Sequence, residues 1–179
     1  MLDEITLGEH TPPEIVTMLN KAMRQVVDPA SATFATGLML RFDVHGREMA
    51  ACNFGHEGPI FSRSGQVSME HGPPIGLDAD IDDWPEVVLG FAEHGDRFLV
   101  FTDGVPEQFN LEGRMFTVAG LERVFRDHLD RPLSQMMDRI VQAVEVFRGS
   151  AIVKDDQTLL AMQSRTPADR PGDTTSITR

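Results

Sequence analysis

At 179 residues and 41% apolar content, the chain is long enough and greasy enough to bury the core of one domain. Sixteen Lys and Arg stand against 28 Asp and Glu, a net charge of −12, which argues against nucleic acid and against an anionic membrane surface as partners. A single cysteine, Cys52, excludes an intrachain disulfide; with no basic and apolar leader and no run near ~20 apolar residues, the chain reads as soluble and cytoplasmic.

Thr11-Pro12-Pro13-Glu14 is a capping box, and Ile15, Met18, Leu19, Ala22, Met23 and Val26 follow at helical spacing, so a helix is predicted over residues 12–27, stopped by Asp28-Pro29. Residues 34–44 and 47–54 are rich in β-compatible side chains around a His45-Gly46 turn and predict a hairpin. Cys52 falls in the second of these runs, where a core role fits better than a nucleophilic one. A second hairpin is expected at 59–62 and 66–69 around Arg63-Ser64-Gly65, and the segment 72–85, punctuated by Pro73, Pro74, Gly76 and Pro85, should be mostly loop. Strands are expected at 87–91 and 97–102. Val118, Leu121, Val124, Phe125 and Leu129 form one helical stripe, and Leu133, Met136, Met137, Ile140, Val141, Val144 and Phe147 a second, closed by Gly149; the methionines read as core filler. Residues 151–163 contain the last predicted strand, and the polar tail 164–179 has no periodicity and is expected to be disordered.

Two acidic motifs stand out. Asp103 follows the apolar run 98–102 and precedes Gly104, which places a carboxylate where a buried strand meets a loop, a position suited to a metal ligand, although on spacing alone a strand-end Asp-Gly is more often turn chemistry. Asp155-Asp156 opens the final strand run; neighbouring strand residues face opposite ways, so one of the pair can enter a shared site, and a solvated acidic turn is the competing reading. Glu107 could orient water or sit free in its loop, and His56 could meet a phosphate or fix its own loop. The alternating acids Asp78, Asp80, Asp82 and Asp83 lack the glycine and the final glutamate of a calcium loop. No glycine-rich phosphate loop, zinc-type Cys/His cluster or serine elbow is present.

Taken in order, Thr11-Pro-Pro-Glu-Ile-Val16, Leu19-Asn20, Phe34-Ala-Thr36, Asn53-Phe-Gly-His56, Pro74-Ile-Gly-Leu77, Gly95-Asp96, Thr102-Asp-Gly-Val105 with Glu107, and Asp155-Asp-Gln-Thr-Leu-Leu160 resemble the bacterial PPM (type 2C-like) serine/threonine phosphatases of the SpoIIE kind. The resemblance implies an α+β fold, an αββα sandwich of two mainly antiparallel sheets flanked by helices, over residues 11–163. It implies Mn²⁺ or Mg²⁺ as a pair of ions, metal-bound water as nucleophile and no catalytic side-chain nucleophile. Asp103 and Asp155 would be metal ligands, with Asp156, Gly104, Glu107, Thr158 and His56 in support. The implied partner is a phosphorylated regulatory protein such as an anti-anti-sigma factor in partner-switching signalling. The family's earlier Gly-Asp and Asp-Val-Ser-Gly-like motifs, which carry the other ligands, have no counterpart here; Asp3, Glu4 and Glu9 are the only acids before the first helix. The expectation is therefore a domain lacking its N-terminal part, with open sheet edges that favour an oligomer. The alternative is a non-catalytic phosphatase-like binding module.

Overall fold

The computed structural model describes residues 10–28, 33–42, 48–90, 95–164 and, for the backbone, 175–178. These fall into two compact units, residues 1–56 with 68–92 and residues 57–67 with 93–179, each described by itself.

In the first unit, helix α1 (Pro12–Val26) opens with the expected capping box: Thr11 N–H donates to Glu14 Oε2 at 2.7 Å, and Glu14 N–H to Thr11 Oγ1 at 3.4 Å. Strands β1 (Gly37–Phe42), β2 (Glu48–Phe54) and β5 (Glu86–Gly90) form an antiparallel sheet in the order β1-β2-β5. Met39 faces Cys52, and Ala50 faces Val88. The hairpin expected from composition is present, although its His45-Gly46 turn lies outside the described residues. Val16 of α1 packs with Cys52, Phe54, Ile75 and Trp84 in the core. The loop leading into β5 is tied to α1 by Asn20, which is fully buried. Its amide donates to Asp78 O (2.7 Å) and Ile81 O (3.1 Å) and its carbonyl accepts from Gly76 N–H (2.8 Å), so a polar side chain replaces the ladder that this proline-broken segment cannot make.

The second unit is a five-stranded antiparallel sheet in the order β4-β3-β6-β7-β8, from β3 (Ile60–Phe61), β4 (Gly65–Gln66), β6 (Arg97–Phe101), β7 (Thr158–Gln163) and β8 (Thr175–Thr178). Helices α2 (Val118–Asp127) and α3 (Leu133–Arg148) lay their predicted stripes into one core, where Leu121, Phe125, Met136, Met137 and Ile140 are buried with Leu99, Phe101, Leu159 and Ala161. The methionines are core filler, as their spacing indicated. Gly149 caps α3 at φ 59°, its N–H donating to Glu145 O at 3.0 Å. The predicted second hairpin is shorter than expected, its return strand ending at Gln66. The expectation of a disordered tail meets a strand at 175–178: β8 pairs with β7, Leu159 facing Ile177, because the outer edge of β7 offers unpaired backbone groups and the tail's Thr-Ser-Ile-Thr suits a strand. The rest of the tail, 165–174 and 179, lies outside the described residues. The architecture is α+β, two antiparallel sheets with helices.

Candidate functional site

The register of β6 against β7 brings the two acidic motifs to one place. Phe101 faces Leu159, and the pairing continues one step past the strands: Thr102 N–H donates to Thr158 O at 3.1 Å, and Thr158 N–H donates to Thr102 Oγ1 at 2.9 Å. Thr102 Oγ1 donates in turn to Asp156 O at 2.9 Å. Beyond this point both segments leave the sheet, so Asp103 and the Asp155-Asp156 pair sit at adjoining corners.

Gly104 permits the closeness. A side chain there would overlap the Asp156 carbonyl oxygen and lie 3.2 Å from the Asp155 carbonyl carbon, so only glycine lets the 103–107 turn rest on the backbone of Asp155 and Asp156. The turn is closed by Val105 N–H to Thr102 O (3.1 Å) and Glu107 N–H to Asp103 O (2.9 Å), and is anchored by Val105, which is buried in the core. Next to it, Thr117 holds a left-handed φ of 73°, a costly setting for a β-branched residue; its N–H donates to Pro106 O at 2.7 Å and its hydroxyl accepts from Gly120 N–H at 3.2 Å.

Two residues that sequence reasoning did not single out complete the frame. Gln157 Nε2 donates to Gly104 O (3.0 Å) and to Gln108 Oε1 (2.9 Å). The Gln108 amide, 4% exposed, donates to Phe109 O (2.7 Å) and Ile152 O (3.2 Å). Glutamine is the side chain that can both accept from one segment and donate to two others. The available signal was the location of Gln108 and Gln157 next to the two acidic motifs.

Asp103, Glu107, Asp155 and Asp156 are all exposed. A cavity of about 140 Å³ opens between Gly104, Glu107, Gln108, Phe109, Lys154 and Asp155. The strand-alternation argument for Asp155 and Asp156 is corrected: both precede β7, in a bend, and strand geometry does not sort them. The cavity distinguishes them, because Asp155 lines it while Asp156 contributes its backbone carbonyl to Thr102. Asp155 Oδ1 accepts from Asp156 N–H at 2.8 Å, fixing the bend. His56 belongs to the first unit. Its loop is pinned by the nearly buried Asn53, whose Oδ1 accepts from His56 N–H (2.8 Å) and whose amide donates to His56 O (2.9 Å). Cys52 is buried and its thiol is pushed up to about 11 by burial and then by Glu86, which disfavours a nucleophilic thiolate.

Among the described residues no three His, Cys, Asp or Glu side chains converge into a metal cage. Two carboxylates at one corner fall short of the six oxygens that Mg²⁺ takes, so the described residues do not fit a complete two-metal centre.

A family model described as Stage II sporulation protein E (SpoIIE) matches residues 1–165. No curated protein matches the chain. Among solved structures, the SiaA-PP2C domain of Pseudomonas aeruginosa is similar at a TM-score of 0.76 and 22% identity, over 88% of this chain and 62% of that one. The RsbU and RsbW domains of Rv1364c from Mycobacterium tuberculosis give 0.69 and 25%, over 90% and 44%. The phosphatase domain of the cell fate determinant SpoIIE from Bacillus subtilis, Mn presoaked, gives 0.55 and 14%, over 87% and 66%. The chain thus spans less than two thirds of the length of the first two. With the matched model covering nearly its whole length, the chain belongs to the SpoIIE family of PP2C-type phosphatase domains.

Proposed function

We propose that this chain is a Mn²⁺- or Mg²⁺-dependent protein phosphatase domain that hydrolyses phosphoserine or phosphothreonine on a regulatory protein of the partner-switching kind, such as an anti-anti-sigma factor. The observation that supports the reading is the β6–β7 register, which ends both strands at one edge of the sheet, with Gly104, the neighbour of Asp103, packed against the Asp155–Asp156 backbone. In this reading Asp103 and Asp155 are metal ligands. Bound divalent ions would supply an acidified water and neutralise charge on the phosphoryl oxygens. The chain's own residues hold the corner: Thr102 and Thr158 lock the strand ends, Gln157 ties the Gly104 turn to Gln108, and Asp156 and Glu107 flank the ligands. No side-chain nucleophile is required.

Calorimetric titration with Mn²⁺, with Asp103→Asn as control, tests the ligand assignment. Binding of about two ions, abolished by the substitution, together with Mn²⁺-dependent release of phosphate from a phosphoprotein, is the expected result. Binding unchanged in Asp103→Asn would remove Asp103 from the site. The scarcity of converging ligands among the described residues favours one second reading, a non-catalytic module that engages a phosphoprotein; partner capture that persists in Asp103→Asn/Asp155→Asn without metal would select it.

A further inference from the structure

The cavity beside Asp155 is bordered by an apolar strip that the reading above does not use. Phe109, Leu111, Met115, Ile152 and Val153 are all exposed, Leu111 and Ile152 at 72%. Phe109 and Met115 bridge each other across a tight loop that carries Leu111, and Gln108 ties that loop to Ile152 O. The loop is rigid for its size. Asn110 Oδ1 accepts from Glu112 N–H (3.0 Å) and Arg114 N–H (2.9 Å), Asn110 N–H donates to Arg114 O (2.9 Å), and Phe116 N–H to Gln108 O (2.9 Å). Lys154 stands at the junction of patch and cavity, its Nζ 5.2 Å from the centre of the Phe109 ring. Among the described residues lining the cavity it is the sole cation, facing Glu107 and Asp155.

Large apolar side chains held rigidly next to a polar cavity mark a contact surface. The charge says for what. A phosphorylated side chain approaching a surface of net charge −12 is repelled unless a local cation receives it, and the one cation among the described residues lining the cavity is stacked on the first residue of the apolar strip. We propose that the strip and Lys154 together form a docking rim for the phosphoprotein substrate: Lys154 meets the phosphate, and an apolar residue flanking the phosphorylated serine or threonine packs on Phe109, Leu111 and Ile152. This rests on the phosphatase reading and gives it a substrate class, a phosphopeptide segment with apolar flanks.

The probes are two fluorescent peptides carrying a non-hydrolysable phosphonate analogue of phosphoserine, one flanked by leucines and one by glycines, read by anisotropy with and without Mn²⁺. The wild type binds the leucine-flanked peptide about tenfold more tightly. Leu111→Asp/Ile152→Asp, both at exposed positions, brings the two peptides to equal affinity. Lys154→Gln weakens both by about tenfold while Lys154→Arg retains binding. Equal affinity for the two peptides in the wild type, no measurable binding, or variants indistinguishable from wild type would overturn the rim. Mn²⁺-dependent hydrolysis of p-nitrophenyl phosphate is followed in parallel. Flank discrimination without hydrolysis removes the catalytic reading and keeps the rim; hydrolysis without discrimination does the reverse.

Discussion

Gly104→Ala offers the sharpest test of how the acidic corner is built. The new methyl group would overlap the Asp156 carbonyl oxygen and press on the Asp155 carbonyl carbon at 3.2 Å. Neither side can yield cheaply, since Asp156 O is held by Thr102 Oγ1 and Gly104 O by Gln157 Nε2. Overpacking of this kind costs ~1–3 kcal/mol, and losing one of the two hydrogen bonds adds about 1, for a total of roughly 2–4 kcal/mol. The assay is hydrogen exchange by mass spectrometry on peptides covering β6 and β7. Exchange limited by opening of this strand pair should accelerate roughly 30- to 1,000-fold. Gly113→Ala is the control, because φ there is 73° but nothing lies within 4 Å; it should cost only about 1 kcal/mol of backbone conformation. Acceleration below about fivefold in Gly104→Ala, or no greater than in Gly113→Ala, would refute the claim that close backbone approach sets the corner.

Three further outcomes are expected. Asn20→Ala strips three hydrogen bonds from the loop over α1 and leaves buried backbone groups unpaired, costing about 2–4 kcal/mol; urea unfolding followed by the fluorescence of Trp84, in the same unit, should show the lowered midpoint. Cys52, with its thiol pushed up to about 11, should resist iodoacetamide at pH 8 in the folded protein and react only on unfolding. Because its folded value is raised, its contribution to stability is complete below the ordinary thiol pKa and is lost as pH rises toward 11; alkylation of native protein at the free-thiol rate would contradict the burial. Glu14, whose carboxyl is held low by the Thr11 backbone and hydroxyl, stabilises α1 above the ordinary carboxylate range and loses that contribution as pH falls through its depressed value; Glu14→Gln should remove this acid limb from amide exchange of the first helical turn.

Much of this fold was legible because local chemistry and tertiary packing agree. The capping box Thr11–Glu14 and the 3.6-residue stripes of α2 and α3 specify their helices without help from distant residues. The acidic corner was half legible: Asp103-Gly104 and Asp155-Asp156 could be picked out as motifs, but that Gly104 lies on the backbone of Asp155 and Asp156 depends on strand register, which no local pattern contains. For the same reason Gln108 and Gln157 went unremarked, since a glutamine declares its role only through the three segments it joins. The strand at 175–178 escaped a reading based on composition because its pairing is supplied by β7, not by its own hydrophobic pattern.

The corner is defined by where two neighbouring strands stop, whatever the chain does between them. From Asp103 to Asp155 the polypeptide makes a closed excursion through α2 and α3 and returns to its point of departure, so its covalent continuity is separable from the position of the two carboxylates. Cleaved at the exposed Glu112-Gly113 turn, the molecule becomes two fragments that each carry one of these two carboxylates and are held together by the β6–β7 ladder, the shared core and the Gln108 and Gln157 hydrogen bonds. On the ligand assignment proposed above, ion binding would then report on fragment association, and the domain would serve as a split sensor in which a metal reads out whether two polypeptides have come together.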